Sequence, residues 1–165
     1  VEWTFDPLLV TNAHLNVTRL GAVVDEYLEN VYGASTSPLH HGAPTDRFVA
    51  AWYVASVHVR RRLEAGPIVA RDARVAQTPS ILETRPFGDW RAPVGEPPLD
   101  CDDPRIFVEI PAGFLGMLTG APGLARDWRA LTRRVFQSYF SRGYRIVDFT
   151  SDRDARRAGY LLQRR

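Results

Sequence analysis

The stretch that decides the fold is the first, Val1-Glu-Trp-Thr-Phe-Asp-Pro7, continuing through Thr11-Asn-Ala-His-Leu-Asn-Val-Thr-Arg-Leu-Gly21. Val1, Trp3 and Phe5 alternate with Glu2 and Thr4, the period-two pattern of a half-buried strand. Pro7 ends that pattern. From there Val10, Ala13, Val17 and Leu20 follow helical spacing, and Gly21 supplies a C-terminal stop. The chain opens inside a strand, so a pairing partner is expected upstream of the sequence, and the exposed edge Val1–Phe5 offers a route to a homo-oligomer.

Working outward, Ala22 to Tyr27 is β-prone, and Asp46 to Val54 reads as a strand. Gly33 to Pro44 reads as a loop. Ser56 to Leu63 reads as a short helix capped by Ser56. Seven prolines between residues 66 and 104 mark an extended, surface-lying connection, with Pro67-Ile-Val-Ala70 a candidate brief strand and Leu99 to Asp103 solvated. Beyond it, Ile106–Ile110 is a strand and Pro122–Arg142 a helix. The stripe Leu124, Trp128, Leu131, Val135 and Tyr139 faces a core, and Arg126, Arg129, Arg133 and Gln137 face away. Tyr144–Phe149 and Tyr160–Gln163 are strands. The expected organisation is a first unit over residues 1–65, a connection over 66–104, and a strand–helix–strand–strand unit over 105–165. The expected fold class is mixed α+β.

Composition bounds the function. In 165 residues, 45% are hydrophobic and 24% charged, as in a soluble globular domain. No apolar run approaches the ~20 residues needed to span a bilayer, and no signal peptide is evident, so no membrane partner is expected. The formal charge of +2 is too small to imply nucleic acid. Cys101 is the only cysteine and cannot form an internal disulfide, so a cytoplasmic protein is expected; it also has no activating neighbour in sequence. Every basic residue except the four histidines is Arg, which keeps planar forks available for carboxylates and phosphates.

Few residues carry candidate chemistry. Asn12 and Asn16 share a helical face beside the end of the first strand, where α/β proteins place ligands. The alternative is that Thr11 or Asn12 caps the helix and Asn16 is solvated. His40 and His41 stand in the loop before Asp46-Arg47, where an imidazole could contact substrate or move a proton. With His58 they lack zinc-like spacing, so no metal site is expected. Asp46 and Arg47 either pair with each other or present Arg47 to a substrate carboxylate. Glu109 and Asp148 are candidate acids if buried together.

The run "WTFDPLLVTNAHLNVTRLG" resembles the strand-and-helix segment in the second half of GNAT-superfamily acyltransferases. More narrowly, it resembles a bacterial group of predicted acetyltransferases described by association with o-succinylbenzoate synthase. That group has a "G-x-P-(S/T)-D-R-hydrophobic" motif, here Gly42-Ala-Pro-Thr-Asp-Arg47-Phe48. It closes on motifs matched by Val108-Glu-Ile-Pro111, Trp128-Arg-Ala-Leu-Thr-Arg133 and Tyr139-Phe-Ser-Arg-Gly-Tyr-Arg-Ile-Val-Asp-Phe149. The resemblance implies a GNAT-like half-sheet and transfer of an acyl group, acetyl in the first place, from acetyl-CoA or another acyl-CoA to an amine or other small-molecule acceptor. It further implies that Trp3, Phe5 and Asp6 line the pantetheine channel. Asn12 and Asn16 would orient the cofactor or brace the turn, and Asp46 and Arg47 would shape the acceptor site.

Two departures qualify this. The Gly-rich loop that holds the CoA pyrophosphate in GNAT enzymes does not occur in the sequence, and in the superfamily it lies upstream of this segment. Weak or no acetyl-CoA binding by residues 1–165 is therefore expected. Alignment on Ala13 and Gly21 also puts Val17 where many GNAT enzymes carry a proton-donating Tyr. The competing class is a non-enzymatic binding or dimerisation module without a CoA site.

Overall fold

A computed structural model describes residues 1–33, 44–65 and 75–165. The fold is mixed α+β. Strands β1 (Glu2–Phe5), β2 (Val23–Leu28), β3 (Arg47–Ala51), β6 (Arg105–Pro111), β7 (Tyr144–Asp152) and β8 (Arg157–Arg164) form one antiparallel sheet. Their order is β1-β3-β2-β7-β8-β6. Strands β4 (Glu83–Phe87) and β5 (Trp90–Val94) form a separate hairpin. Helix α1 (Val10–Ala13) runs on into a π-helical segment, His14–Arg19. Helices α2 (Val57–Ala65), α3 (Phe114–Gly120) and α4 (Pro122–Ser141) complete the described elements. None of the described helices is long and apolar enough to cross a membrane.

The expected strands and the long helix occur close to where hydrophobic periodicity puts them, with shifts at their ends. Ser56 caps α2 by accepting the Val59 N–H at 3.2 Å. Helix α1 departs from ideal spacing. The Leu20 N–H reaches back five residues to the Leu15 carbonyl at 3.0 Å, widening the turn. As a result Asn16, Val17 and Thr18 are all buried in succession. Gly21 leaves this turn with φ +72°, a conformation that favours glycine.

The two end units share one sheet and one core. Strands β1, β3 and β2 form one part of the sheet; β7, β8 and β6 form the other. They join through one registered position, Val24 opposite Ile146. Helix α4 spans this junction, burying Trp128, Val135, Phe136 and Tyr139. The Phe48 ring lies at the centre. It meets Phe136 edge-on at 4.9 Å between centroids, Tyr27 and Tyr160 at 5.5 Å, and Phe5 at 5.7 Å.

The stretch expected to be an extended connection contains the β4–β5 hairpin. Pro86 and Pro93 fit because a two-stranded ladder leaves each strand one open edge. Glu109, almost fully buried, fastens the hairpin to the sheet. It accepts from the Thr84 hydroxyl at 3.0 Å and the Arg157 guanidinium at 2.7 Å, with Arg91 at 3.5 Å. Glu109 is not buried together with Asp148, which pairs with Arg62 at 2.9 Å. Leu99 to Asp103 keeps its acidic side chains in water, but its backbone is strapped to the sheet and α4. Tyr144 donates to the Asp103 carbonyl at 2.6 Å, and Arg142 to the Leu99 carbonyl at 2.8 Å. The brief strand expected around Pro67–Ala70 lies outside the described residues.

Gly159 on β8 is tightly enclosed. A Cβ there would stand 2.6 Å from the Val108 carbonyl oxygen and 2.4 Å from the Phe107 ring. Backbone on one side and a ring on the other leave no cheap relaxation. Gly159→Ala should lower stability by about 1–3 kcal/mol, the usual cost of overpacking. Urea denaturation should show a lower midpoint at an unchanged slope. An unchanged midpoint would mean that β6 and β8 part at no cost.

Candidate functional site

Strand β1 stands at one end of the sheet. Its inner edge pairs with β3, and among the described residues no strand pairs with its outer edge. At its C-terminal end Asp6 and Pro7 turn the chain into α1. The Asp6 carboxylate stabilises that turn by accepting the Leu8 N–H at 2.9 Å. The Tyr160 hydroxyl, fully buried, donates to the Pro7 carbonyl at 2.8 Å.

Asp6 is then gripped from α4. Arg129 donates to its two oxygens at 2.9 and 2.8 Å, a bidentate fork, and stacks over the Phe114 ring at 4.7 Å. Burial favours the neutral form of Arg129, but its bonds and charge interaction with Asp6 outweigh burial and raise its pKa. Arg47 approaches the same carboxylate at 3.6 Å, lies over the Tyr32 ring and donates to the Asp46 carbonyl at 3.1 Å.

One helical turn on, Arg133 closes a second fork. It donates to the two oxygens of Asp46 at 2.9 and 2.8 Å. Asp46 has no solvent exposure and accepts also from the Tyr27 hydroxyl at 2.6 Å and the Asn30 N–H at 3.0 Å. Burial pushes its carboxyl up, and these four donated bonds more than reverse that, holding it below the ordinary range. The Tyr27 phenol is pushed well above its ordinary value by burial and by Asp46.

Beside the Asp6 fork lies an open cavity of about 430 Å³. Phe5, Leu9, Phe114 and Leu118 give it apolar walls; Thr4, Asp6, Asn12, Arg47 and Arg129 add polar groups. Among the described lining residues two guanidiniums stand against one carboxylate, a net positive charge. Such a site suits a ligand with an apolar portion, hydrogen-bonding groups and an anionic or developing negative centre.

The expected site residues divide. Phe5, Asp6, Asn12 and Arg47 are brought together at this cavity. Trp3 and Asn16 are not among its lining residues; the indole N–H donates to the Asn16 amide oxygen at 3.1 Å, a brace between β1 and the π-helical segment. Asp46 sits behind the cavity in its own fork, and its carboxylate pairs with Arg133 rather than with Arg47. Val17 is fully buried. His40 and His41 lie outside the described residues. Cys101 donates to Asp103 at 3.0 Å, and burial together with that carboxylate raises its thiol pKa. Sequence reading missed Arg129 and Arg133. It placed both on the solvent face of α4, yet Arg129 is buried and Arg133 reaches a buried carboxylate. Their spacing of four, which puts two guanidiniums on one helical face, was the available signal.

Compared with known protein families, curated proteins and solved structures, the chain matches none.

Asp46 supplies a pH test. Its carboxyl is lowered in the folded state, so its contribution is complete above the unfolded carboxylate value of about 3.9 and is lost as pH falls through the folded value. Asp46→Asn should cost about 3 kcal/mol at pH 7, the low end for breaking a buried ion pair. The gap to the parent should narrow in acid, below about pH 4. Urea denaturation at both pH values measures it; an equal gap at both would exclude the charge as the cause.

Proposed function

We propose that the chain acts in acyl transfer from an acyl-CoA thioester, acetyl in the first instance, to an amine or other small nucleophile. The observation that carries this reading is the outer edge of β1, which no described strand pairs, leading to the cavity at Asp6 and Asn12. The pantetheine arm is extended and bears two amides. An open strand edge offers matching main-chain donors and acceptors, as in other additions of an extended ligand to a sheet. The apolar walls then shelter the thioester, and Asn12 and Thr4 offer polar contacts. The motif resemblance points to the same segment.

In this reading the acceptor's lone pair attacks the thioester carbonyl carbon. The new bond to carbon forms, the carbon–sulfur bond breaks, and sulfur departs as thiolate. The positive charge of Arg47 and Arg129 favours the oxyanion and thiolate over the neutral ground state. Both oxygens of Asp6 are engaged by Arg129, so the acceptor's proton passes to solvent or to another group. Arg47 is the better placed of the two arginines to meet an acceptor carboxylate, because Arg129 is almost wholly buried in its fork.

The sequence has no Gly-rich phosphate loop, so affinity rests on the pantetheine arm and belongs in the millimolar range. Titration of isotope-labelled chain with acetyl-CoA and with pantetheine, followed by amide resonances, tests this. Saturable shifts confined to Thr4, Asp6, Asn12 and their neighbours are expected. Asn12→Ala should weaken them severalfold, consistent with losing a hydrogen bond of about 1 kcal/mol. No shift on β1 at saturating ligand would overturn the reading. Shifts on β1 that grow with protein concentration alone would favour a dimerisation module.

A further inference from the structure

Strands β6, β8 and β7 turn Ile106, Leu162 and Ile146 into the core, each with no exposure. The row beside them therefore points to the other face. In that row Gln163 pairs with Arg105 on β6 and with Arg145 on β7. Two guanidinium stems thus flank one amide, one strand spacing of about 4.8 Å to either side. Helix α2 closes the edge of this face with Ser56, His58, Arg61 and Arg62. The result is a cleft of about 490 Å³ floored by Val23, Val147 and Leu161.

Its charge is unbalanced. Among the described residues four guanidiniums line it against one carboxylate, Asp148. Arg62 is the anchored one, donating to Asp148 at 2.9 Å and to the Val147 carbonyl at 3.3 Å. Gly21 leaves room for its stem, since a Cβ there would stand 2.9 Å from the Arg62 Cγ. Among the described residues, Arg61, Arg105 and Arg145 form no ion pair. The Arg62 side chain is 9% exposed, yet among the described residues its Nη1 has no hydrogen-bond partner, and neither does the buried Nε2 of His58. A buried guanidinium donor without a partner and crowded like charges are both costly, and one anion relieves both.

We propose that this cleft binds a small phosphorylated ligand, its phosphate held by the arginines and its organic part resting on the apolar floor. Guanidinium forks match phosphate oxygens in geometry and number. The cleft is far larger than a phosphate and lies in the size range of small-molecule sites. It shares no described lining residue with the cavity at Asp6, and it does not rest on the acyl-transfer reading.

His58 reports occupancy. Burial lowers its pKa, Arg62 and Arg145 lower it further, and Asp148 opposes them. Arg61, Arg105 and the Tyr53 hydroxyl share the cleft with it. An added anion favours the imidazolium, so its titration should move up on binding.

The test is calorimetric titration of the full chain with inorganic pyrophosphate at low salt, with His58 followed by magnetic resonance. Saturable binding and an upward His58 titration are expected. Arg105→Gln with Arg145→Gln should weaken binding about tenfold, as expected on removing charge-assisted hydrogen bonds, with an unchanged circular dichroism spectrum. Asn12→Ala should leave it unchanged. Citrate should bind severalfold less tightly. Absence of saturation, indifference to the double substitution, or equal affinity for citrate would each overturn the proposal. So would a short oligonucleotide that displaces pyrophosphate at far lower concentration, which would make the face a nucleic-acid surface.

Discussion

Arg129 and Arg133 stand one turn apart on α4, and each closes a two-pronged fork on a carboxylate brought by another segment. Asp6 comes from the end of β1 and Asp46 from the entry to β3. These are neighbouring strands, but they meet α4 from a distance of 123 and 87 residues along the chain. The sheet itself could not supply that link, because its two parts share a single registered position. The helix therefore does what the ladder does not: it fixes where the first three strands lie relative to the last three. Buried ion pairs of this kind contribute little net stability over an apolar core, but they penalise every register that leaves a carboxylate without its fork. Between and below the forks, Phe48 and its ring partners provide the apolar burial that drives the packing.

The same device recurs at Glu109. This almost fully buried carboxylate sits on β6, opposite Gly159, and gathers Arg157 from β8 together with Thr84 and Arg91 from the hairpin. Arg91 also fixes Thr84, and its carbonyl accepts from the Trp128 indole at 2.9 Å, so the hairpin is tied to α4 as well. A chain with arginine and no lysine suits this architecture. A guanidinium satisfies both oxygens of a carboxylate in one plane while using its remaining donors on nearby carbonyls; an ammonium would act as a point charge.

Local periodicity carried most of the element reading. The expected helix Pro122–Arg142 occurs as Pro122–Ser141, and the strand at Ile106–Ile110 as Arg105–Pro111. Composition misled where the reason for a residue lay in tertiary structure. Prolines at 86 and 93 point, by composition, to an extended connection, but a two-stranded hairpin has edges that accept them. Arg129 and Arg133 were read as solvent-facing because the apolar stripe lies elsewhere; the carboxylates that draw them inward belong to segments no local window contains. At the site, the strand end and Asp6, Asn12 and Arg47 were legible from the strand-to-helix change and the motif spacing. Arg129 and the α3 wall were not, since only the fold brings them to β1.

The two faces of the sheet use the same residue type in opposite ways. On the α4 face the fork arginines are matched by carboxylates, and their charge is consumed in fixing the register. Around Arg105, Arg145 and Arg61 the described residues provide no such match. That difference has a mechanical consequence. A ligand that competed for Arg129 or Arg133 would pull on the forks that hold the sheet together. An anion drawn to Arg105 or Arg145 meets side chains that form no ion pair among the described residues, so its binding does not compete with the forks. Arg47 lies between these cases. It stands 3.6 Å from a carboxylate already held by Arg129, and it is the arginine of the Asp6 cavity freest to turn toward a bound group.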